Sequence, residues 1–310
     1  MIKILIIKHG ALGDIILSLN AIYSIKKHFR ESNIVVITEK KYSEIFEFFP
    51  IVDDIYIDNR PKNFLSNKFF KLLIWFYKNQ FEWVFDLQTS NRTKIYFKIF
   101  SMFRTFNWSG IEKNCSHPHL NKNRTTLHTY ERQKEQLRIA GIKSKRFIKW
   151  SFLYGNVKKF KLPKNYIILV PGGSINRPEK RWSLEAFQEI IKYLKSKNII
   201  SVLVGGIDEL GIINHINFKK LNCINLVGKT NFSDLATISK NAILILGNDT
   251  GPMHLLAECS KKKTRKIVLF GSNSNPSLCA PIAENVIILR KKNINDISIE
   301  EVKSLIIKNI

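Results

Sequence analysis

The feature that most constrains the fold is an alternation of short apolar runs with longer helical patterns, present in both halves of the chain. Ile2–Ile7 is a continuous apolar run with β-branched residues, which is typical of a buried parallel strand. A glycine-containing turn follows, and apolar residues then recur at helical spacing over Ile15–Phe29. The same alternation continues to Ala140 and begins again at Tyr166. It predicts parallel sheets joined by right-handed crossovers.

The length of 310 residues suits two domains of ordinary size. The basic stretch Lys143–Lys164 carries few periodic signals and is interpreted as containing the linker. We therefore predict an α/β protein of two doubly wound, Rossmann-like domains, residues 1–150 and 151–310, with a cleft between them.

Several segments carry local expectations. Gly110–Leu127 is polar and without pattern, so it is predicted to be a loop. A helix over Thr129–Ala140 is expected to stop at Gly141, which suits the C′ position. Another helix is expected to open at Ser233. The last helix is expected to begin with a capping box formed by Ser298–Glu301.

The formal net charge of +25 permits a polyanionic partner, such as nucleic acid, phosphorylated lipid or an acidic membrane face. The joint abundance of Lys, Asn and Ile, as expected from an AT-rich genome, accounts for the same charge without any partner. No nucleic-acid-binding module and no basic face with interleaved stacking aromatics is evident. A nucleic-acid-binding protein is therefore an alternative motivated by charge alone, and no nucleic acid is predicted as partner.

The sequence favours the cytoplasm. It has no run of 18 or more apolar residues, its N-terminus lacks the features of a signal peptide, and its four cysteines show no CxxC pairing. Two aromatic and basic segments, Phe64–Tyr77 and Ile95–Phe106, allow two interpretations. In the first interpretation, the segments form a peripheral contact with the inner membrane. In the second, they are crossover helices buried on the sheet.

In doubly wound sheets, ligands bind at the carboxyl ends of the strands, so the loops after strands are the candidate sites. The first such loop, KHGALGD, departs from the dinucleotide pattern GxGxxG but has glycines suited to a tight turn at Gly10 and Gly13. Asp14 follows at the start of a helix. It is either a general base facing the cleft or simply an N-cap.

The second loop, PGGSINRPEKRW, begins after the strand at Tyr166–Val170. Its glycines, including Gly173, let backbone amides approach an anion, Ser174 supplies a hydroxyl, and Lys180 and Arg181 supply positive charge. The loop is a candidate phosphate cradle, with a solvated basic loop as the alternative. Its spacing differs from that of a Walker A motif, which argues against an ATPase.

Two further loops combine glycines with polar groups. GGIDE ends at Glu209, which suits contact with sugar hydroxyls, although an acidic first turn of a helix looks the same. GNDTGPMH presents Asp249, Thr250 and Gly251 at a helix start, with His254 one turn inside. A single histidine is usually structural, but this loop is dense in groups suited to ligand binding.

No metal and no cofactor is predicted. No DxD motif follows a strand, and Asp53 and Asp54 precede one, where a structural role is expected. The spacing of the nearby histidines and cysteine does not match a common zinc site; these residues are Cys115, His117, His119 and His128.

Four strings in order resemble glycosyltransferase family 9, the ADP-heptose:lipopolysaccharide heptosyltransferases: KHGALGDIILSLNA, PGGSINRPEKRW, GGIDE and GNDTGPMHLLA…LFGS. Together they span nearly the whole chain, and the combination is more specific than any one string. The resemblance implies a GT-B fold with an N-terminal acceptor domain and a C-terminal nucleotide-sugar domain. It implies inverting, metal-independent transfer of heptose from ADP-heptose to an anionic, lipid-linked lipopolysaccharide acceptor. Another nucleotide sugar is the alternative.

The resemblance also implies roles for single residues. Asp14 would be the catalytic base. The donor diphosphate would be held by Gly173, Ser174 and Lys180, and the donor nucleoside and sugar by Glu209, Asp249, Thr250, Gly251 and His254. The family often has two adjacent hydroxyl residues in its phosphate loop, and Gly173 replaces one of them here.

The acceptor would carry carboxylates and phosphates. Arg60 and Lys62 follow the third strand and Arg92 follows the fourth, so they are suited to bind such anions, with solvated surface charge as the alternative. Gly13, next to the predicted base, completes the candidate acceptor residues.

Overall fold

The computed structural model describes residues 1–102, 104–147, 149–173, 177–213 and 218–308. The chain divides into two compact units, Met1–Phe152 and Leu153–Ile310. Each unit contains one six-stranded parallel sheet with helices packed on it.

The first sheet has the strand order β3-β2-β1-β4-β5-β6. Its strands are β1 (Lys3–Ile7), β2 (Asn33–Thr38), β3 (Asp54–Ile57), β4 (Trp83–Asp86), β5 (Asn107–Gly110) and β6 (His117–Pro118). The central strand β1 pairs with β2 and β4, so that Leu5 lies opposite Val35 on one side and Val84 on the other. Its residues Ile4–Ile7 are fully buried, which explains why its apolar run is continuous.

Among the described residues, four α-helices lie between these strands and a fifth follows β6: α1 (Leu12–His28), α2 (Ser43–Phe48), α3 (Asn67–Asn79), α4 (Asn91–Phe100) and α5 (Thr129–Ile139). Helix α3 buries Phe69, Leu72 and Phe76 in the core of the sheet. The spacing of these three residues places them on one helix face. The interpretation of the Phe64–Tyr77 segment as a crossover helix is confirmed for that face.

The second sheet has the order β12-β11-β10-β7-β8-β9. Its strands are β7 (Tyr166–Val170), β8 (Ile200–Leu203), β9 (Cys223–Asn225), β10 (Leu244–Asn248), β11 (Arg265–Phe270) and β12 (Val286–Arg290). The α-helices are α6 (Leu184–Ser196), α7 (Leu210–Ile213), α8 (Phe218–Leu221), α9 (Phe232–Asn241), α10 (Gly251–Cys259), α11 (Pro276–Cys279) and α12 (Ile299–Ile307). One apolar core joins α6 and α12 to the sheet.

In both sheets, the order in which the chain adds strands reverses at the centre. In the first unit the chain runs outward from β1 to β3 and then returns to β4 on the other side of β1; in the second, β10 returns beside β7 in the same way. The predicted α/β class with two doubly wound sheets is confirmed. Ligands of such sheets bind where the strand order reverses, which directs attention to the loops after β1 and β4 and after β7 and β10.

The local expectations had mixed outcomes. Gly141 adopts a left-handed conformation (φ 73°) after α5, as expected of a C′ residue. The Ser298–Glu301 capping box is also confirmed. The predicted opening of a helix at Ser233 was wrong, because Asn231 caps α9 and accepts from Asp234 N. The predicted loop Gly110–Leu127 contains the short strand β6, and β5 ends at its first residue.

Among the helices of the described residues, none has the length and apolar character needed to cross a membrane.

Candidate active site

Asn248, the last residue of β10, fixes the phosphate-loop candidate that follows β7. Its buried side chain donates from Nδ2 to the carbonyl oxygens of Pro171 (2.8 Å) and Gly172 (3.2 Å). Its Oδ1 accepts from the backbone N–H of Trp182 at 3.1 Å. One amide therefore holds both ends of the loop between residues 171 and 182. The backbone groups at these buried ends need such partners, because leaving them unpaired is costly.

Lys180 and Asp249 meet at the point of sheet reversal. Lys180 Nζ lies 3.4 Å from Asp249 Oδ2, and both side chains are largely buried. The same carboxylate oxygen accepts a hydrogen bond from Ser274 Oγ at 2.5 Å, and His254 Nε2 lies 3.9 Å from Oδ1. The structure thus brings together three of the predicted donor residues, and it adds Ser274 from the loop after β11.

Thr250 is the N-cap of α10, and its side chain forms no capping bond to that helix. Gly251 is the first residue of α10, and His254 lies one turn inside, as the sequence indicated. The free N–H groups and the dipole at this end favour an anionic or polar ligand. Within the described part of the chain, the buried Thr250 Oγ1 and Arg181 Nε have no hydrogen-bond partner.

Gly173 is buried beside these groups. A Cβ built on it would lie 3.3 Å from Arg181 Cγ and 3.6 Å from Thr250 Cγ2. Arg181 Nη2 also donates to the carbonyl oxygen of Gly173 at 2.8 Å. The Arg181 side chain therefore occupies space that the side chain of a larger residue at position 173 would need. Ser174, the predicted hydroxyl of this loop, lies outside the described residues.

Glu209 ends a short 3₁₀ turn after β8 and is buried. Its Oε2 accepts from the backbone N–H of Gly206 at 2.7 Å, so the carboxylate caps its own turn. A Cβ on either Gly172 or Gly205 would lie 2.0 Å from this carboxylate. Both positions must therefore be glycine for Glu209 to lie against the loops after β7 and β8.

The far end of the phosphate-loop candidate is attached to the C-terminal part of the chain. Trp182 Nε1 donates to the carbonyl oxygen of Ile297 at 3.0 Å. The adjacent backbone N–H of Ser183 donates to Asn295 Oδ1 at 2.8 Å. These two bonds position the residues that follow Lys180.

In the first unit, Asp14 is the third residue of α1. The N-cap is Ala11, so the alternative that Asp14 is only an N-cap was wrong. Gly13 and Asp14 are both partly exposed at the positive end of the helix dipole, and the backbone oxygen of Asp14 accepts from Ser18 Oγ. This placement leaves the carboxylate able to reach a ligand.

A buried lysine lies behind Asp14. Lys8 follows β1 and donates to the carbonyl oxygen of Leu87, after β4, at 3.4 Å. Burial lowers the pKa of Lys8, and the negative charges of Asp14 and Asp86 oppose that shift. Burial likewise raises the pKa of Asp86 to about 6, although the side chain of Thr93 hydrogen-bonds to it. Charged groups thus concentrate where the first sheet reverses.

Two arginines add positive charge to this position. Arg124 Nη2 donates to Thr89 Oγ1 in the loop after β4, at 2.5 Å. Burial lowers the pKa of Arg124, and the positive charge of Arg132 acts in the same direction. The same two arginines lower the pKa of Lys8, so the three cations lie near one another. They form a basic cluster beside the predicted base.

Asp58, directly after β3, forms hydrogen bonds with several residues near the predicted acceptor residues. Its buried carboxylate accepts from His9 Nε2 (2.8 Å) and from Tyr96 OH (2.5 Å), and its Oδ1 accepts from the backbone N–H of Arg60 (2.8 Å). Burial alone would raise the pKa of Asp58, but the hydrogen bonds from His9 and Tyr96 more than offset it and hold the pKa below its usual value. Arg92 Nη1 in turn donates to Tyr96 OH at 3.0 Å.

Asp58 also lines a cavity of about 430 Å³. Four basic side chains and two carboxylates line it together with one asparagine: Lys40, Lys41, Arg60, Arg92, Glu39, Asp58 and Asn59. Arg60 is paired with Glu39 at 2.7 Å, and Arg92 stacks on the ring of Phe64, 4.9 Å from its centroid. Lys62 is exposed and does not line the cavity.

Replacing Asp58 with asparagine should destabilise the first unit. We expect a loss of about 1.5–3 kcal/mol in the free energy of unfolding, the usual value of a hydrogen bond to a charged group. Because the folded pKa of Asp58 lies below its unfolded value, this stability is present above about pH 4 and disappears as the pH falls through the folded pKa. Urea titrations of wild type and variant between pH 3 and pH 7 measure the difference. A constant difference over that range would contradict it.

Within the described residues, no group of three or more His, Cys, Asp or Glu side chains could hold a metal ion. Asp53 has the structural role expected of it, because its Oδ2 accepts from the backbone N–H of Ile34 at 2.7 Å.

Residues 86–306 match the model of glycosyltransferase family 9 (heptosyltransferase). The chain belongs to this family. It is a glycosyltransferase, and the resemblance drawn from the four strings is confirmed.

Among curated relatives, this family 9 enzyme is 25% identical over 301 residues to lipopolysaccharide heptosyltransferase 1 of Campylobacter coli, covering 87% of this chain and 84% of that protein. It is 28% identical over 128 residues to lipooligosaccharide heptosyltransferase 2 of Haemophilus ducreyi, covering 39% of this chain and 35% of the other.

Solved structures agree on the fold of this family 9 enzyme. A family 9 glycosyl transferase of Veillonella parvula matches with a TM-score of 0.76 and 21% identity, covering 99% of this chain and 96% of that one. E. coli heptosyltransferase WaaC with ADP matches with a TM-score of 0.76 and 17% identity over the whole of both chains. Both likenesses support the GT-B assignment.

Several residues of these sites escaped the sequence analysis. Asn248 and Lys8 stand within the quoted strings but had no role assigned, although each is a polar residue at the end of an apolar strand. Asp58 carries the same signal, because it directly follows the strand β3. Ser274 and Arg124 carry no such pattern, and only the fold brings them to the sites.

Proposed function

We propose that the chain is an inverting, metal-independent transferase that moves a heptose from ADP-heptose to an anionic, lipid-linked acceptor of the lipopolysaccharide core. The observation that carries the proposal is the meeting of Lys180 and Asp249 at the reversal point of the second sheet, beside the open N-terminus of α10. Membership of family 9 and the names of the relatives support the sugar and the acceptor class.

The second unit, proposed to begin near residue 151, would bind the donor. Lys180, the amides at Gly173 and the hydroxyl of Ser174 would hold the diphosphate, whose charge grows as the sugar leaves. Asp249, Thr250, Gly251 and His254 would contact the sugar and the adjoining nucleotide. Glu209 would reach the nucleoside from the loop after β8. Positive charge and helix amides at one point are what a departing diphosphate requires.

The first unit, residues 1–150, would bind the acceptor. Asp14 would remove the proton from the attacking hydroxyl as it adds to the anomeric carbon from the face opposite the diphosphate, which inverts the configuration. If the transition state resembles an oxocarbenium ion, this proton leaves late and a carboxylate is a sufficient base. The scheme has no metal step, because Lys180 and the helix amides at the start of α10 would together stabilise the leaving charge.

The basic groups of the first unit suit an acceptor with carboxylates and phosphates. Arg60 and Arg92 line the cavity above Asp58, and Lys8 with Arg124 lies beside Asp14. Lys62 and Gly13 are proposed to complete the acceptor site. The first of these is exposed and would act as a flexible cation at its rim.

The proposed location is the cytoplasm, with peripheral contact at the inner membrane where a lipid-linked acceptor would be met. No nucleic-acid partner is proposed.

A thermal-shift comparison of ADP-, UDP-, GDP- and CMP-sugars tests the donor. We expect ADP-heptose to raise the melting temperature by several degrees, since a ligand at about 100 times its Kd stabilises by about 2.7 kcal/mol. The other nucleotide sugars should have little effect, and added EDTA should leave both the shift and the transfer rate unchanged. A shift with UDP- or GDP-sugars instead would assign the enzyme to another donor. Loss of turnover in EDTA would contradict the metal-free scheme.

A further inference from the structure

Helix α3 carries an exposed face opposite its buried one. Leu72 and Phe76 point into the core, and about half a turn of the helix away lie Phe70 and Ile74, which are 47% and 53% exposed. Leu65, just before the helix, is 79% exposed. Single exposed apolar residues are ordinary, but a phenylalanine and an isoleucine one turn apart on the solvent side form a continuous apolar strip.

The charged side chains of helix α3 itself all have one sign. Lys68, Lys71 and Lys78 lie on the same helix, and none of the three forms an ion pair within the described part of the chain. Residues 59–81 contain five Lys or Arg and no Asp or Glu. Residues 136–178 form a longer stretch without an acid, so basic charge alone does not set this segment apart. What distinguishes it is the combination of this charge with the exposed apolar strip of α3.

The helix that follows extends this character. Tyr77 OH donates to the carbonyl oxygens of Ile99 (3.2 Å) and Phe100 (3.0 Å), which holds the C-terminal end of α3 against that of α4. The exposed Met102 follows α4, and residues 87–111 again contain four Lys or Arg and no acid. Two adjacent helix ends therefore present apolar and basic side chains, and neither helix contains a carboxylate.

We propose that the exposed face of α3, formed by Leu65, Phe70, Lys71, Ile74 and Lys78, docks on an anionic lipid bilayer. Apolar side chains of this size enter the boundary between headgroups and acyl chains, while lysines beside them attract anionic headgroups. A protein partner would need matching acidic and apolar groups, whereas an anionic membrane supplies both over any area. The inference assigns a surface to the peripheral membrane contact of the proposed function. It rests on that function only in taking the acceptor to be lipid-linked.

Binding to vesicles tests the proposal on the full chain without donor or acceptor. Sedimentation with sucrose-loaded vesicles should recover the wild type with phosphatidylglycerol mixed into phosphatidylcholine, and much less with phosphatidylcholine alone. The double variant Phe70→Ser/Ile74→Ser should bind the anionic vesicles about tenfold or more weakly. The charge reversal Lys71→Glu/Lys78→Glu should have an effect at least as large.

Matched controls separate this face from the general positive charge. Phe48→Ser/Ile288→Ser removes two comparably exposed residues (49% and 40%), and Lys164→Glu/Lys292→Glu reverses two exposed lysines elsewhere. Both controls should bind vesicles like the wild type. Equal losses in control and α3 variants would assign binding to net charge and overturn the proposal. So would wild-type binding by the α3 variants, or a dimer on size exclusion that only those variants abolish.

A second readout distinguishes this result from failure of the proposed function. With a short, water-soluble acceptor, Phe70→Ser/Ile74→Ser should transfer sugar at the wild-type rate, because none of the proposed substrate residues is altered. With the same acceptor embedded in anionic vesicles, its rate should fall about as much as its vesicle binding. An equal fall with both acceptors would mean that the helix supports folding rather than docking.

Discussion

The Asp14→Asn variant should transfer sugar about 10²–10⁴-fold more slowly than the wild type, the usual contribution of a general base. The asparagine is isosteric and keeps the position in the first turn of α1, but it cannot accept the proton from the attacking hydroxyl. Donor binding should stay the same, because the proposed donor residues all belong to the second unit. Rates with saturating donor and acceptor, together with the thermal shift given by ADP, measure the two effects separately.

Asp54→Asn is a suitable control for this variant. Asp54 is an exposed carboxylate of the same unit, and its Oδ1 contacts only the backbone N–H of Ile55 among the hydrogen bonds of the described residues. Its variant should keep wild-type turnover. Near-normal turnover of Asp14→Asn would remove Asp14 from the mechanism, even if the donor proves to be ADP-heptose.

The Lys180→Ala variant should lose about 2–4 kcal/mol of transition-state stabilisation, as when one preorganised donor is removed from a site of developing charge. This corresponds to a fall of about 30- to 1000-fold in turnover. The lysine is largely buried, and its neighbour Asp249 is a carboxylate, so its loss leaves negative charge where the diphosphate would form. Lys192→Ala, which removes an exposed lysine of α6 paired with Glu189, should have no such effect.

Comparing two ligands shows whether Lys180 acts on the diphosphate. Lys180→Ala should weaken binding of ADP more than binding of adenosine, because only ADP carries the phosphates. A general collapse of the loop after β7 would weaken both equally. Calorimetric titration of each ligand makes the comparison, and equal losses would assign Lys180 a structural role.

Much of the fold was predictable because its central strands are buried on both faces. β1 and β7 are continuous apolar runs, and the sequence predicts both within one residue of their observed bounds. β5 was not predicted, since Asn107–Gly110 has one large apolar residue, and β6 is only two residues long. β12 is a partly exposed edge strand, and it was also missed.

The candidate sites were predictable as loops but not as pairs of residues. Each loop with glycines and polar groups does follow a strand, because backbone turns and ligand contacts leave local patterns. The hydrogen bond between His9 and Asp58 joins residues that are far apart in sequence. The ion pair between Lys180 and Asp249 does the same. Such contacts depend on strand order, which the alternation of strands and helices does not specify.

The two bonds from Trp182 and Ser183 to Ile297 and Asn295 have a consequence for how the donor loop behaves. Asn248 holds the start of the same loop at Pro171 and Gly172, so each of its described ends has an anchor of its own. The placement of Lys180, two residues before Trp182, then depends on the segment leading into α12, which makes no predicted contact with the donor. Substitutions near Asn295 and Ile297 can therefore alter how the leaving group is bound by residues more than a hundred positions earlier in the chain.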